Sequence, residues 1–104
     1  MTDRELLEAA AKAAGMPAFA SGATGLRVSH DGRRSGYIWN PLTDDGDALR
    51  LAVKLEIHIQ TDGRYCWAST FSVNATEESD VDPYAATRRA IVRAAAEIGK
   101  SINP

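Results

Sequence analysis

Little in this chain names a function at first sight, and each shortage excludes something. Cysteine occurs once, as Cys66, which excludes an intramolecular disulfide and suits a reducing cytoplasm. Long apolar runs are missing, and none approaches the roughly 20 residues needed to cross a bilayer. A basic excess is missing too: 12 lysines and arginines stand against 14 acidic residues, whereas nucleic-acid binding usually shows as marked positive charge. The stretch MTDRELLEAAAKAAG mixes acidic, basic and alanine residues and is unlike a signal peptide. No glycine-rich phosphate loop and no acid–base constellation stands out, so no catalytic residue, metal or cofactor is assigned. The expectation is a soluble, cytoplasmic, non-enzymatic protein without a membrane segment.

What is present is an ordinary globular composition, 44% hydrophobic and 25% charged over 104 residues. That is one domain's worth of chain, burying roughly 65% of its unfolded surface around one modest core. We read 1–104 as a single domain: an N-terminal helix at 1–15, a loop at 16–25, an α+β core at 26–98 and a frayed tail at 99–104.

Local signals place the elements. Thr2 and Glu5 have capping-box spacing, Leu6, Leu7, Ala10 and Ala14 form a narrow apolar stripe, and Gly15 with Pro17 stops the helix. The following PAFASGATG reads as a connection. Its Gly22-Ala23-Thr24-Gly25 matches the GxxG of KH domains, but such loops join two helices and usually carry basic residues. Asp31-Gly32 and Asp62-Gly63 each sit between strand-like segments and mark two hairpins. A second helix spans about Asp44 to Lys54, with Ala48, Leu51, Ala52 and Leu55 on one side. NATEESDV reads as a polar, acidic loop before the last helix, which opens with Asp82 as N-cap and Pro83 as first residue. Tyr84, Arg88, Ile91, Ala95 and Ile98 mark that helix's buried side, and Gly99 its end. The order α-β-β-α-β-β-α predicts an α+β fold: an antiparallel sheet of about four strands with three helices.

A two-residue loop at Asp62-Gly63 sets His58 opposite Trp67, Ile59 opposite Cys66 and Ile57 opposite Ala68. Alternation then places Ile57, Ile59, Cys66 and Ala68 on a core face, with His58, Gln60, Tyr65, Trp67 and Phe71 on the other. The second face suits either burial under a helix or binding. Because His58 and Cys66 point to opposite faces, they do not form a nucleophile pair. The Asp44, Asp45 and Asp47 cluster invites a metal reading. An EF-hand loop begun at Asp45 would need an oxygen ligand and then Gly where Leu49 and Arg50 stand. Carboxylates that cap a helix start are the favoured reading. Tyr65 and Trp67 with Arg33, Arg34 and Arg64 could stack and neutralise nucleic acid, but no RNP signature accompanies them. The same residue types are enriched at protein-interface hot spots.

The order of Trp39-Asn40-Pro41, Asp47-Ala48, Leu51-Ala52 and Tyr65-Cys66-Trp67-Ala68, then a closing helix with Ala85, Arg88, Ala90, Ile91 and Ala94, resembles small phage proteins grouped as the phage ABA-sandwich domain. The resemblance covers most of residues 37–98, and the chain departs from it in an elaborated first hairpin. It implies a sheet between helical layers and a phage or prophage origin, and it brings no activity or catalytic residues. The expected function is binding to a host protein complex, as an inhibitor of a bacterial antiviral system of CRISPR type. The partner-binding residues would be His58, Arg64, Tyr65, Trp67, Arg33 and Arg34. The alternative is a nucleic-acid- or nucleotide-binding module using the second hairpin. The chain would be a monomer, or a homodimer pairing sheet edges or aromatic faces.

Overall fold

The computed structural model describes every residue except 17, 23, 24, 29–36, 80, 103 and 104, and only the backbone of 18–22. The elements run α1 Asp3–Ala13, β1 Ala18–Gly22, β2 Gly25–Val28, β3 Tyr37–Trp39, α2 Asp45–Lys54, β4 His58–Thr61, β5 Tyr65–Ser69, β6 Asn74–Glu78 and α3 Pro83–Ile102. The fold is α+β with three helices, as the sequence predicts. The strands among the described residues number six rather than about four, in two antiparallel sheets ordered β1-β2-β3 and β4-β5-β6.

Two strands account for the difference. Residues 18–22, expected in a loop, pair with β2, and Gly22 faces Gly25 across the ladder. The GxxG word therefore sits between antiparallel strands, not between helices. Asn74–Glu78, also expected in a loop, is edge strand β6, with Ala75 buried and Glu77 half-buried toward the helices. A small residue and a carboxylate on the inner face give no apolar alternation for sequence reading to find. In the other sheet β2 and β3 pair as a hairpin should, with Leu26 opposite Trp39, while the Asp31-Gly32 turn lies outside the described residues.

The helix starts follow the sequence closely. The Thr2 hydroxyl accepts from Glu5 N–H at 3.1 Å and Glu5 accepts from Thr2 N–H at 3.0 Å. That second bond is the main reason the Glu5 carboxyl lies below its usual pKa. Asp82 accepts from the N–H groups of Tyr84 and Ala85, each at 3.1 Å, and caps α3 ahead of Pro83.

Helix α3 is the hub, packed against α1, α2 and the β4-β5-β6 sheet. It buries Ala90, Ile91, Val92, Ala94, Ala95 and Ala96, more than one face, because neighbours surround its middle. Two expectations fail here. Tyr84, placed on the buried side, is 72% exposed in the helix's first turn. Gly99, expected to end the helix, lies inside it, since the helix runs on to Ile102. A Cβ on Gly99 would stand 1.9 Å from the Ala9 carbonyl oxygen, so glycine is what lets α1 and α3 approach this closely. Trp39 is among the largest fully buried side chains and anchors the core beside Val28. The resemblance implies helices on both faces of a sheet. Among the described residues only one face of β4-β5-β6 is helix-covered.

Candidate interaction surface

The acidic turn resolves into architecture. The Asp44 carboxylate accepts the Asp47 N–H at 2.8 Å and caps α2. Asp47 is buried, accepting from Asn40 N–H at 3.0 Å and from the Arg50 guanidinium at 2.9 Å, and so ties the end of β3 to the helix start. Its hydrogen bond raises the Arg50 pKa, while burial is the larger reason that the Tyr37 pKa is raised. Asp45 takes the Arg88 guanidinium at 2.6 Å, and Arg88 also donates to Leu42 O at 2.8 Å, fixing α3 to this turn. Among the described residues, no three or more His, Cys, Asp and Glu side chains gather as a metal site.

The second hairpin departs from the expected register by two residues. His58 faces Ser69, Ile59 faces Ala68, Gln60 faces Trp67 and Thr61 faces Cys66. The centre of the turn is Gly63-Arg64, closed by Asp62 N–H donating to Tyr65 O at 3.1 Å. Gly63 has φ +87° and Arg64 does not have positive φ, the pattern of a type II′ turn with glycine at its first central position. The Asp62 carboxylate accepts from Tyr65 N–H at 2.8 Å and Arg64 N–H at 2.9 Å, and these bonds lower its pKa. A shift of two preserves which face each side chain takes. Cys66 is fully buried with Sγ 3.7 Å from Glu77 O, on the opposite face from His58.

The outer face of β4-β5-β6 is thereby defined rung by rung. His58, Ser69 and Asn74 form one rung, Gln60, Trp67 and Thr76 the next, and Tyr65 pairs with Glu78 on the last. Trp67 is half-buried at the centre, with the Tyr65 ring 6.3 Å away and tilted by 41°. This offset, tilted arrangement suits the quadrupoles of two rings while leaving ring surface open. Four sequence candidates thus meet on one sheet: His58, Tyr65 and Trp67 on the face, and exposed Arg64 at its turn. Arg33 and Arg34 lie outside the described residues. Phe71, expected on the same face, is instead fully exposed in the β5–β6 turn, which closes through Thr70 N–H to Val73 O at 2.9 Å.

Sequence reading missed Asn74, Thr76 and Glu78 on this face, because it missed β6. The available signal was Cys66 and Ala68, two small core residues on a strand that needs a second neighbour to be covered. On the far side of β6, an open groove of about 680 Å³ runs toward α3 and α1. Its cations are matched: Arg89 pairs with Asp3 at 3.1 Å, Lys100 with Glu97 at 3.1 Å, and Arg93 with Glu77. Arg93 also donates to Thr76 O at 3.0 Å. No described helix is long and apolar enough to cross a membrane. No protein-family model, curated protein or solved structure matches this chain.

Proposed function

We propose that this chain is a non-catalytic phage or prophage accessory protein that works in the bacterial cytoplasm. It binds a host protein complex through the outer face of β4-β5-β6 and inhibits an antiviral system of CRISPR type. The observation that carries the binding reading is Trp67, half-buried beside exposed Tyr65 on a sheet face that no helix covers among the described residues. Trp and Tyr offer large, rigid contact area at low entropic cost and dominate protein-interface hot spots. Phe71 extends apolar surface to the rim. Charge favours a protein partner over a nucleic acid: on this face the strands carry Glu78, and the cation among the described residues is Arg64 at the turn. The phage origin and the choice of target rest on the resemblance of residues 37–98.

The test is a binding and plating experiment. The purified protein should bind a reconstituted CRISPR effector and protect a targeted phage, and Trp67→Ala should lose both while folding normally. Salt-dependent binding to single-stranded DNA, lost in Arg64→Ala, would instead support the nucleic-acid module. Failure to bind any effector, with plating unchanged, removes the proposed target.

A further inference from the structure

Two consecutive glutamates of β6 have opposite surroundings. Glu77 turns inward, where Arg93 pairs with it. Glu78 turns outward, is exposed, and has no ion pair or side-chain hydrogen bond among the described residues. It lies directly opposite Tyr65 across the ladder and diagonal to Trp67, whose own partner is Thr76. Opposed residues have Cβ atoms about 4.5–5.5 Å apart and diagonal ones about 7–8 Å, within reach of long side chains. The two rings, 6.3 Å apart and tilted by 41°, are not stacked face to face, so a third group can lie against them. The other outward side chains named on this face, His58, Gln60, Ser69, Asn74 and Thr76, include no lysine or arginine. At the turn, Arg64 stands beside Asp62, whose carboxylate accepts its N–H at 2.9 Å, and the two charges cancel. Glu78 is therefore the uncompensated charge of this face among the described residues.

We propose that this face takes an arginine side chain of its protein partner, the guanidinium lying against Trp67 and Tyr65 and pairing with Glu78; this rests on the reading of the face as the binding surface. Three kinds of group could cover the rings. An apolar side chain would bury Glu78 without a partner, and desolvating an unpaired carboxylate is strongly unfavourable. A carboxylate or a nucleic-acid phosphate would meet Glu78 as a like charge. A cation satisfies both features at once, because ring faces carry the negative side of the aromatic quadrupole and the carboxylate supplies the counter-charge. Arginine fits this pair better than lysine. Its planar guanidinium stacks on an aromatic face while its edge N–H groups stay free for a carboxylate, and it is more weakly hydrated than an ammonium. The net charge of -2 also favours the approach of a cationic surface. Trp67 then supplies contact area, and Glu78 decides which side chain is accepted.

Titration of the isotope-labelled full chain with N-acetyl-arginine amide, followed by NMR, tests this. The backbone amides of Tyr65, Trp67 and Glu78 should shift together and saturate. The citrulline counterpart, close in shape and uncharged, should leave them unmoved, and the lysine counterpart should move them less. Glu78→Gln should keep the fold by circular dichroism and weaken arginine binding about threefold, the size of one exposed charge pair. Trp67→Ala should abolish saturable binding at the face. No saturable shift there, an equal response to citrulline, or indifference to Glu78→Gln overturns the proposal. Binding to a reconstituted CRISPR effector separates this from the parent reading. Effector binding lost in Trp67→Ala but kept in Glu78→Lys overturns the arginine site and leaves the surface standing. Saturable arginine binding on this face with no effector bound supports the site and removes only the proposed target.

Discussion

Strand β5 presents two unlike surfaces. Toward α3 it offers Cys66 and Ala68, both fully buried, and β6 adds Ala75 beside them. Toward solvent it offers Tyr65 and Trp67. The usual arrangement, large apolar groups in and small polar ones out, is reversed. The inner face can be small because alanine-rich α3 lies close against it, as close packing of small side chains allows. The outer rings add little to that packing, so a sequence selected for folding alone would have no need of them. The difference separates residues that hold the sheet from residues the sheet displays.

Substitutions should divide along that line. Gly99→Ala forces a Cβ onto the Ala9 carbonyl at the α1–α3 crossing behind the inner face, and should cost about 3 kcal/mol or more in urea unfolding. Ala68→Leu, which inserts volume between β5 and α3, should cost about 1–3 kcal/mol by the same measurement. On the outer face, Trp67→Ala should change stability by about 1 kcal/mol or less, because the ring lies on the face turned away from α3. A loss near that of Ala68→Leu would erase the contrast.

Smaller changes sharpen it at the sheet's margins. Arg93→Ala removes a partly exposed ion pair, so stability should move within about 1 kcal/mol. It uncovers the Thr76 carbonyl, however, and light scattering should show new concentration-dependent association through β6. At the turn, the Asp62 carboxyl has a lowered pKa in the fold. Its contribution is therefore full above the unfolded value of about 3.9 and is lost as pH falls through the lower folded value. The stability difference between the protein and Asp62→Ala should be flat from neutral to mildly acidic pH and shrink below that range. A difference that grew on acidification would contradict the hydrogen-bond assignment.

How much of this was legible in the sequence follows from the range of each interaction. Thr2 with Glu5, Asp44 with Asp47, and Asp82 with Pro83 act within one turn of chain, and each helix begins where its cap lies. The hairpin at Asp62-Gly63 was visible, but its register was not. Asp62 spends its side chain on the N–H groups of Arg64 and Tyr65 and leaves Gly63-Arg64 as the turn centre. Because the slip is two residues, the faces of His58, Gln60, Tyr65, Trp67, Ile59, Cys66 and Ala68 were still read correctly, and only Phe71, beyond the strand, was misplaced. Strands β1 and β6 were not legible: small or polar residues at sheet margins carry no alternation, even though each pairs with the strand next to it in sequence. Gly99 is the same lesson in a helix, since its reason is Ala9 on another element. For the surface, Tyr65, Trp67 and His58 were found through alternation, while Asn74, Thr76 and Glu78 waited on a strand that sequence could not supply.

The most direct test of the displayed face is the plating efficiency of a CRISPR-targeted phage on a host expressing this protein or its Trp67→Ala variant at equal folded levels. The account predicts that the unaltered protein restores plating and Trp67→Ala does not. Equal protection by both would contradict the assignment of the binding surface to the outer face of β4-β5-β6.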